Sequence, residues 1–209
     1  MSEAFFDSFY AGGAEYYGAD ARPEYNAFLA SLPVNARLVD LACGQGRHAI
    51  PAARAGAVVH AIDYSEVAIE QLRAGAERAG LPITAECHDI RTVALEAAAY
   101  DAAVLVSTLS HFEANEIPGL VASIERALKP GASLFVEAFT TSDPGYSGDG
   151  SISETAAALH HFFKPGELQA LLDHGFERLD YREFMEADLS HGPAHEHGVA
   201  LFVGRRRRA

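Results

Sequence analysis

The residues best placed to do chemistry fall in one run, Asp40-Leu41-Ala42-Cys43-Gly44-Gln45-Gly46-Arg47-His48-Ala49. Gly44 and Gly46 permit a tight turn and close approach of a ligand to the backbone, because no Cβ stands in the way. A helix starting behind them offers unpaired N–H groups. Gly44-x-Gly46-x-x-Ala49 also fits the dinucleotide pattern. Asp40 argues against that ligand: an acid just before the glycines is poorly matched to a pyrophosphate and well matched to an ammonium. Asp63, at the end of the next apolar run, can accept from two ribose hydroxyls with charge-assisted bonds. Tyr64 can pack beside an adenine, Asp89 can accept from its amino group, and Ile90 can lie against the ring.

These positions need a scaffold that brings several strand ends together. Strand-length apolar runs alternate with helical patterns, as in a parallel sheet covered by helices on both faces. The pattern predicts strands at Arg37–Ala42, Val58–Ile62, Ile83–Cys87, Ala102–Ser107 and Ser133–Phe139. A helix runs from the glycine loop to about Ala55. A second is capped by Ser65 and stopped by Gly80, and a third spans Asn115–Leu128, closed by Lys129-Pro130-Gly131. A short helix covers Pro165–His174. Phe176–Ala187 and His195–Arg205 then follow each other as strands with no helix between them, which calls for a hairpin. The expected fold is α/β: a doubly wound, seven-stranded, mostly parallel sheet finished by an antiparallel hairpin. One domain would fill residues 1–209. It would comprise a Phe- and Tyr-rich helical cap (1–35), a cofactor-binding half (36–140) and a substrate-side half (141–209).

The 209 residues, 49% of them apolar, are enough for a full core. No apolar run is long enough to span a membrane. The N-terminus lacks a basic region followed by an apolar stretch, so a cytoplasmic location is expected. Cys43 and Cys87 form no disulfide framework and are expected to pack as small buried residues. A net charge of -13 disfavours nucleic acid as partner; the Arg205-Arg206-Arg207-Arg208 tail is expected to be solvated. The composition leaves monomer and homodimer both open.

Leu38–Ala49, Asp63, Asp89 and the fourth-strand end at Ser107 resemble the class I S-adenosylmethionine-dependent methyltransferases. The resemblance implies S-adenosylmethionine as cofactor. Asp40, Ala42, Gly44 and Gly46 would lie at its amino-acid end, Asp63 and Tyr64 at the ribose and adenine, Asp89 and Ile90 at the adenine, and Ser107 beside it. Val106-Ser107-Thr108-Leu109-Ser110-His111-Phe112, Leu128-Lys129-Pro130-Gly131 and Leu134-Phe135-Val136-Glu137-Ala138-Phe139 are similar to the bacterial tellurite-resistance-type group of small-molecule methyltransferases. So are His191-Gly192-Pro193-Ala194-His195, Phe6-Asp7 and Tyr16-Tyr17-Gly18. The chain departs from that group in lacking a Trp in the cap and an Arg after His111-Phe112, and in carrying His191 where an acid is usual. These departures bear on the substrate and not on the cofactor.

A sulfonium methyl is already activated, so the protein must chiefly hold a small-molecule acceptor in line and keep water out. A thiolate or a tellurium or selenium oxyanion needs no base; a hydroxyl or ammonium does. His111, after the fourth strand, is the expected base or acceptor-binding group, with an ordinary pKa near 6.5 suited to proton transfer. His195 is the second acceptor-side candidate. Glu137 is expected to be structural. His191, His195 and His197 could ligate zinc or another transition metal, but no carboxylate or thiol stands at a firm spacing, so no metal is expected. Two other readings compete: an NAD(P)-dependent oxidoreductase, against which Asp40 and the hairpin count, and a non-catalytic S-adenosylmethionine-binding protein.

Overall fold

Residues 3–12, 21–147, 158–188 and 195–208 are described by a computed structural model. Tyr16-Tyr17-Gly18, residues 148–157 and His191-Gly192-Pro193-Ala194 lie outside them. In chain order the elements are α1 (Glu3–Tyr10), α2 (Pro23–Ala30), β1 (Arg37–Leu41), α3 (Ala49–Arg54), β2 (Val58–Asp63), α4 (Glu66–Ala79) and β3 (Ile83–Cys87). They continue with β4 (Tyr100–Val106), α5 (Ile117–Ala127), β5 (Leu128–Phe139), α6 (Glu167–Leu172), β6 (Phe176–Asp188) and β7 (His195–Arg206).

The strands form one seven-stranded sheet in the order β3-β2-β1-β4-β5-β7-β6. The first five run parallel; β7 is antiparallel to β5, and β6 to β7. The chain leaves β1 toward β2 on one side and reaches β4 on the other. The β1/β4 junction is therefore the switch point, beyond whose carboxyl ends open α/β sheets bind ligands.

Alternation along each strand divides the core into two layers. Val39, Leu41, Leu105, Leu134 and Val136 face α5 and α6, meeting Ile117, Leu120, Ile124, Leu168 and Leu172. Leu38, Val59, Ala61, Val104 and Phe135 face the other way, onto Tyr25 and Phe28 of α2, Ala49 and Ala52 of α3, and Ile69 and Leu72 of α4. The edge strand β6 is mostly exposed and carries Glu177, Arg178, Asp180, Arg182 and Glu183. Charges of this kind discourage edge-to-edge pairing with a second chain.

Local signals act as expected around α4: Ser65 Oγ accepts from Ala68 N–H, and Gly80 closes the helix at φ 61°. Most other boundaries shift by one or a few residues, and two of these differences have a clear physical reason. α5 begins at Ile117 rather than Asn115, with Pro118 in its first turn, where a missing N–H costs nothing. Lys129-Pro130-Gly131 does not form a closing loop but opens β5. The β4–β5 register shifts between Tyr100↔Leu128 and Ala102↔Ser133, so Pro130 falls where the ladder asks for no donor.

Phe135 is fully buried, with its ring 5.3 Å from Tyr25 and 5.4 Å from Phe28. It is the contact by which the sheet holds α2. Phe135→Ala is expected to cost about 3–5 kcal/mol of unfolding free energy, read from the urea midpoint at unchanged m-value. A loss below about 1 kcal/mol would show that α2 is not part of the cooperative core.

Candidate active site

The glycine loop leaves β1 through three left-handed residues, Ala42 (φ 58°), Gly44 (φ 51°) and Gly46 (φ 92°). A Cβ at Gly44 would stand 2.9 Å from Tyr10 Oη, and one at Gly46 would stand 2.4 Å from Leu72 Cδ1. Both positions therefore require glycine for space as well as for backbone conformation. Ser107, at the end of neighbouring β4, is also left-handed (φ 57°), and its N–H donates to Glu137 O at 3.0 Å. Thr108 Oγ1 donates to Leu41 O at 3.0 Å, tying the ends of β4 and β1 together.

Asp63 ends β2 and organises the loop. Its Oδ2 accepts Gly44 N–H at 2.7 Å and its Oδ1 accepts Ser65 N–H at 2.9 Å. One carboxylate thus joins the glycine loop to the start of α4, a duty its type and position alone did not disclose. The Tyr64 N–H also bonds to this carboxylate, which leaves one of its four lone-pair sites for a ribose hydroxyl. Burial raises the Asp63 pKa, while those backbone N–H groups pull it back.

Asp40 is 2% exposed, and its Oδ2 has no hydrogen-bond partner among the described residues. Burial first, and the charge of Asp63 second, push its pKa up to about 8; the Ala49 N–H beside it acts the other way. A buried carboxyl oxygen without a donor is uncommon and implies a missing partner. An ammonium would satisfy it. The orphaned oxygen and the crowded glycines together fit the amino-acid end of S-adenosylmethionine.

The adenine-side candidates are placed differently from one another. Tyr64 is half-buried, and its carbonyl accepts from Cys87 Sγ at 3.4 Å. Ile90 is buried among Leu41, Ile62 and Leu109. The Asp89 carboxylate is held by Arg91, with Nε at 3.0 Å from both oxygens and Nη2 at 2.6 Å from Oδ2. That bond lowers its pKa.

α1 spans the opening. Asp7 bonds to Ser65 Oγ and lies 3.4 Å from Val67 N–H. Gln71 Nε2 donates to Tyr10 O at 2.9 Å. Phe6 meets the His111 ring edge-on at 5.4 Å. The helix therefore reaches from α4, past Gly44, to the turn after β4.

His111 ends the short Leu109–His111 turn, with Nδ1 3.0 Å from Ala158 O. Only the Nδ1–H tautomer makes that bond, which leaves Nε2 as the lone-pair nitrogen. Burial holds its pKa below the ordinary value. Glu137, on β5, is buried, and Arg22 Nη2 stands 2.6 Å from its Oε2, close as an ion pair but off the hydrogen-bond direction. Arg22 also pairs with Glu186 of β6. Burial pushes the Glu137 pKa up to about 7 against the pull of Arg22. On the same side, His195 Nε2 lies 3.0 Å from His197 Nε2, and His197 Nδ1 lies 2.8 Å from Asp143. Arg22 and Asp143 were not singled out from sequence; no motif marks them, because each acts on a residue far away in the chain.

Comparison with known proteins places this geometry. Residues 38–131 match the model of a methyltransferase domain. A ubiquinone biosynthesis O-methyltransferase of Methylocella silvestris is 36% identical over 99 residues, covering 47% of this chain and 38% of that protein. The match therefore spans less than half of that relative's length. TehB from Haemophilus influenzae shares the fold at a TM-score of 0.75 and 19% identity, over 90% of this chain and 63% of that one. So does the 1,6-didemethyltoxoflavin-N1-methyltransferase of Burkholderia thailandensis, solved with 1,6-didemethyltoxoflavin and S-adenosylhomocysteine bound. Its TM-score is 0.75 at 21% identity, over 99% of this chain and 87% of that one. The switch-point glycine loop, the unpartnered acid and the antiparallel C-terminal hairpin thus belong to a chain whose residues 38–131 match a methyltransferase domain and whose fold is shared with these solved structures.

Proposed function

We propose that this chain transfers a methyl group from S-adenosylmethionine to a small-molecule acceptor. The observation that carries the reading is the buried Asp40 Oδ2, without a partner among the described residues, beside a loop whose Gly44 and Gly46 take left-handed backbone under close-packed side chains. A pyrophosphate would meet that carboxylate with like charge; an ammonium would complete it. S-adenosylmethionine supplies an activated methyl group when bound. Asp40, Ala42, Gly44 and Gly46 hold its amino-acid end. Asp63 and Tyr64 serve the ribose and adenine, Asp89 and Ile90 border the adenine, and Ser107 shapes the wall at the end of β4.

On the acceptor side, α1 lays Phe6 against His111 and shields the opening from water. His111 is neutral near pH 7, and its Nε2 is available to take a proton from a hydroxyl or ammonium acceptor. A thiol or a tellurium or selenium oxyanion would use His111 only as a wall. His195 is the second acceptor-side group. Among the described residues no helix is long and apolar enough to cross a membrane. The acceptor is accordingly taken as a small molecule reached from water.

A calorimetric titration with S-adenosylhomocysteine, run beside NADH, tests the reading: micromolar binding of the first and none of the second is expected. Binding of NADH alone would overturn it. Asp40→Asn should weaken S-adenosylhomocysteine binding by about 10–100-fold, as loss of one charge-assisted contact does. Wild-type affinity should rise with pH between 6 and 8 as the raised Asp40 ionises, by up to about tenfold per unit, and the variant should lose that slope.

The same substitution has an opposite effect on the free fold. Asp40 has a folded pKa of about 8 against an unfolded value of 3.8. The fold therefore favours its neutral form, and stability is lost as pH rises from the lower value toward the higher. Thermal melts without ligand should show Asp40→Asn gaining on wild type at pH 8, with the gap closing at pH 4. Equal melting at both would show that Asp40 is not held neutral.

A further inference from the structure

The tip of the β6–β7 hairpin gathers groups that methyl transfer does not require. Pairing sets Asp188 opposite His195 and Glu186 opposite His197. Cross-strand partners, and residues two apart on one strand, share a face. Asp188, His195 and His197 therefore stand together. His195 Nε2 is 3.0 Å from His197 Nε2, and His197 Nε2 is 3.9 Å from Asp188 Oδ2. All three donor atoms lie within 4.8 Å of one another. In a tetrahedral site, bonds of roughly 2.0–2.2 Å put donors about 3.3–3.6 Å apart, so side-chain adjustments of up to about an ångström would seat one.

A second feature points the same way. Metal-bound histidines usually donate their other N–H to a carboxylate, which fixes the tautomer and the ring direction. His197 Nδ1 does so to Asp143 Oδ2 at 2.8 Å. Asp143 is buried and rigidly held: Oδ2 also accepts Gly198 N–H at 3.1 Å, and Oδ1 accepts Gly145 N–H at 2.7 Å. Gly198 is needed there, since a Cβ would stand 2.4 Å from Asp143 N. The proton on Nδ1 leaves the His197 Nε2 lone pair directed at His195 and Asp188.

We propose that Asp188, His195 and His197 form a binding site for a divalent transition-metal ion, with Asp143 as the positioning residue for His197. Two imidazoles and one carboxylate suit zinc, cobalt, nickel or ferrous iron rather than magnesium or calcium, which prefer all-oxygen sets. Three protein ligands leave a coordination position open. The Phe139 ring packs on His197 at 4.9 Å, and Phe139 N–H donates to Ser110 Oγ at 3.0 Å, next to His111. Phe139 thus links His197 to the turn that carries His111, and an acceptor bearing a sulfur or oxygen donor can fill the ion's open position. That last step rests on the proposed methyl transfer; the metal site does not. It also revises the expectation from sequence, where no carboxylate stood at a firm spacing from the histidines.

The test is titration of untagged, chelator-stripped protein with Co²⁺, followed by visible absorption, and with Zn²⁺, followed by calorimetry. One ion per chain is expected. His195→Gln and His197→Gln should abolish saturable binding, and Asp143→Asn should weaken it by roughly 10–100-fold. In unmodified protein, imidazole ¹⁵N spectra should show zinc moving the Nε2 signals of two histidines, so the outcome does not depend on the variants folding. No binding to wild type, binding unchanged in both histidine variants, or zinc shifts on other histidines would each overturn the site and leave a plain hydrogen-bonded histidine pair. S-adenosylhomocysteine is titrated into the same unmodified sample. Cofactor binding without metal binding overturns the site alone; metal binding without cofactor binding overturns the methyltransferase reading and keeps the site.

Discussion

Two backbone N–H groups, of Gly44 and Ser65, converge on the buried carboxylate of Asp63, and the working end of the molecule is assembled around that convergence. The first belongs to the loop leaving β1, the second to the cap of α4. Neither group has another acceptor, and a buried N–H left unpaired would cost on the order of 1–3 kcal/mol. The carboxylate thus fixes the loop at the angle that brings Gly46 under Leu72 and Gly44 under Tyr10. α1 docks on the platform this makes, through Asp7 on Ser65 and Gln71 on Tyr10.

Three buried acids lie toward the carboxyl ends of β1, β2 and β5, and each is pressed toward its neutral form. Asp40, Asp63 and Glu137 all have raised pKa values, with burial as the first cause. They differ in what compensates. Asp63 has backbone donors, Glu137 has the Arg22 guanidinium, and Asp40 has an oxygen with none. A fold selected for stability alone would replace an unpaired buried acid. Its presence at the switch point is a cost offset only when a cation arrives.

The hairpin contributes in a different way. β7 runs antiparallel to β5, so its first residues, His195 and His197, arrive at the carboxyl ends of the parallel strands. A parallel strand in that place would deliver its last residues there instead. Reversal of one strand brings histidines from near the C-terminus beside Phe139 and Asp143, and Glu186 beside Arg22.

The sequence by itself determined the order and type of the elements. Apolar period, the Ser65 and Gly80 signals and the Gly44–Gly46 pair are local, and local physics reads them. It also pointed to Asp40, Asp63 and His111 as candidate site positions, because they are acids and a histidine at or just beyond strand ends. It misplaced Lys129-Pro130-Gly131, since a Pro-Gly pair signals a turn and only the shifted β4–β5 register shows where a strand tolerates it. The tertiary structure alone decided the partners: Asp63 with Gly44, Arg22 with Glu137, Asp143 with His197, Asp188 with His195. Each pair depends on strand register or helix docking between distant segments. Such pairings are set by the packing of the whole core and leave no pattern in the spacing of the residues that make them.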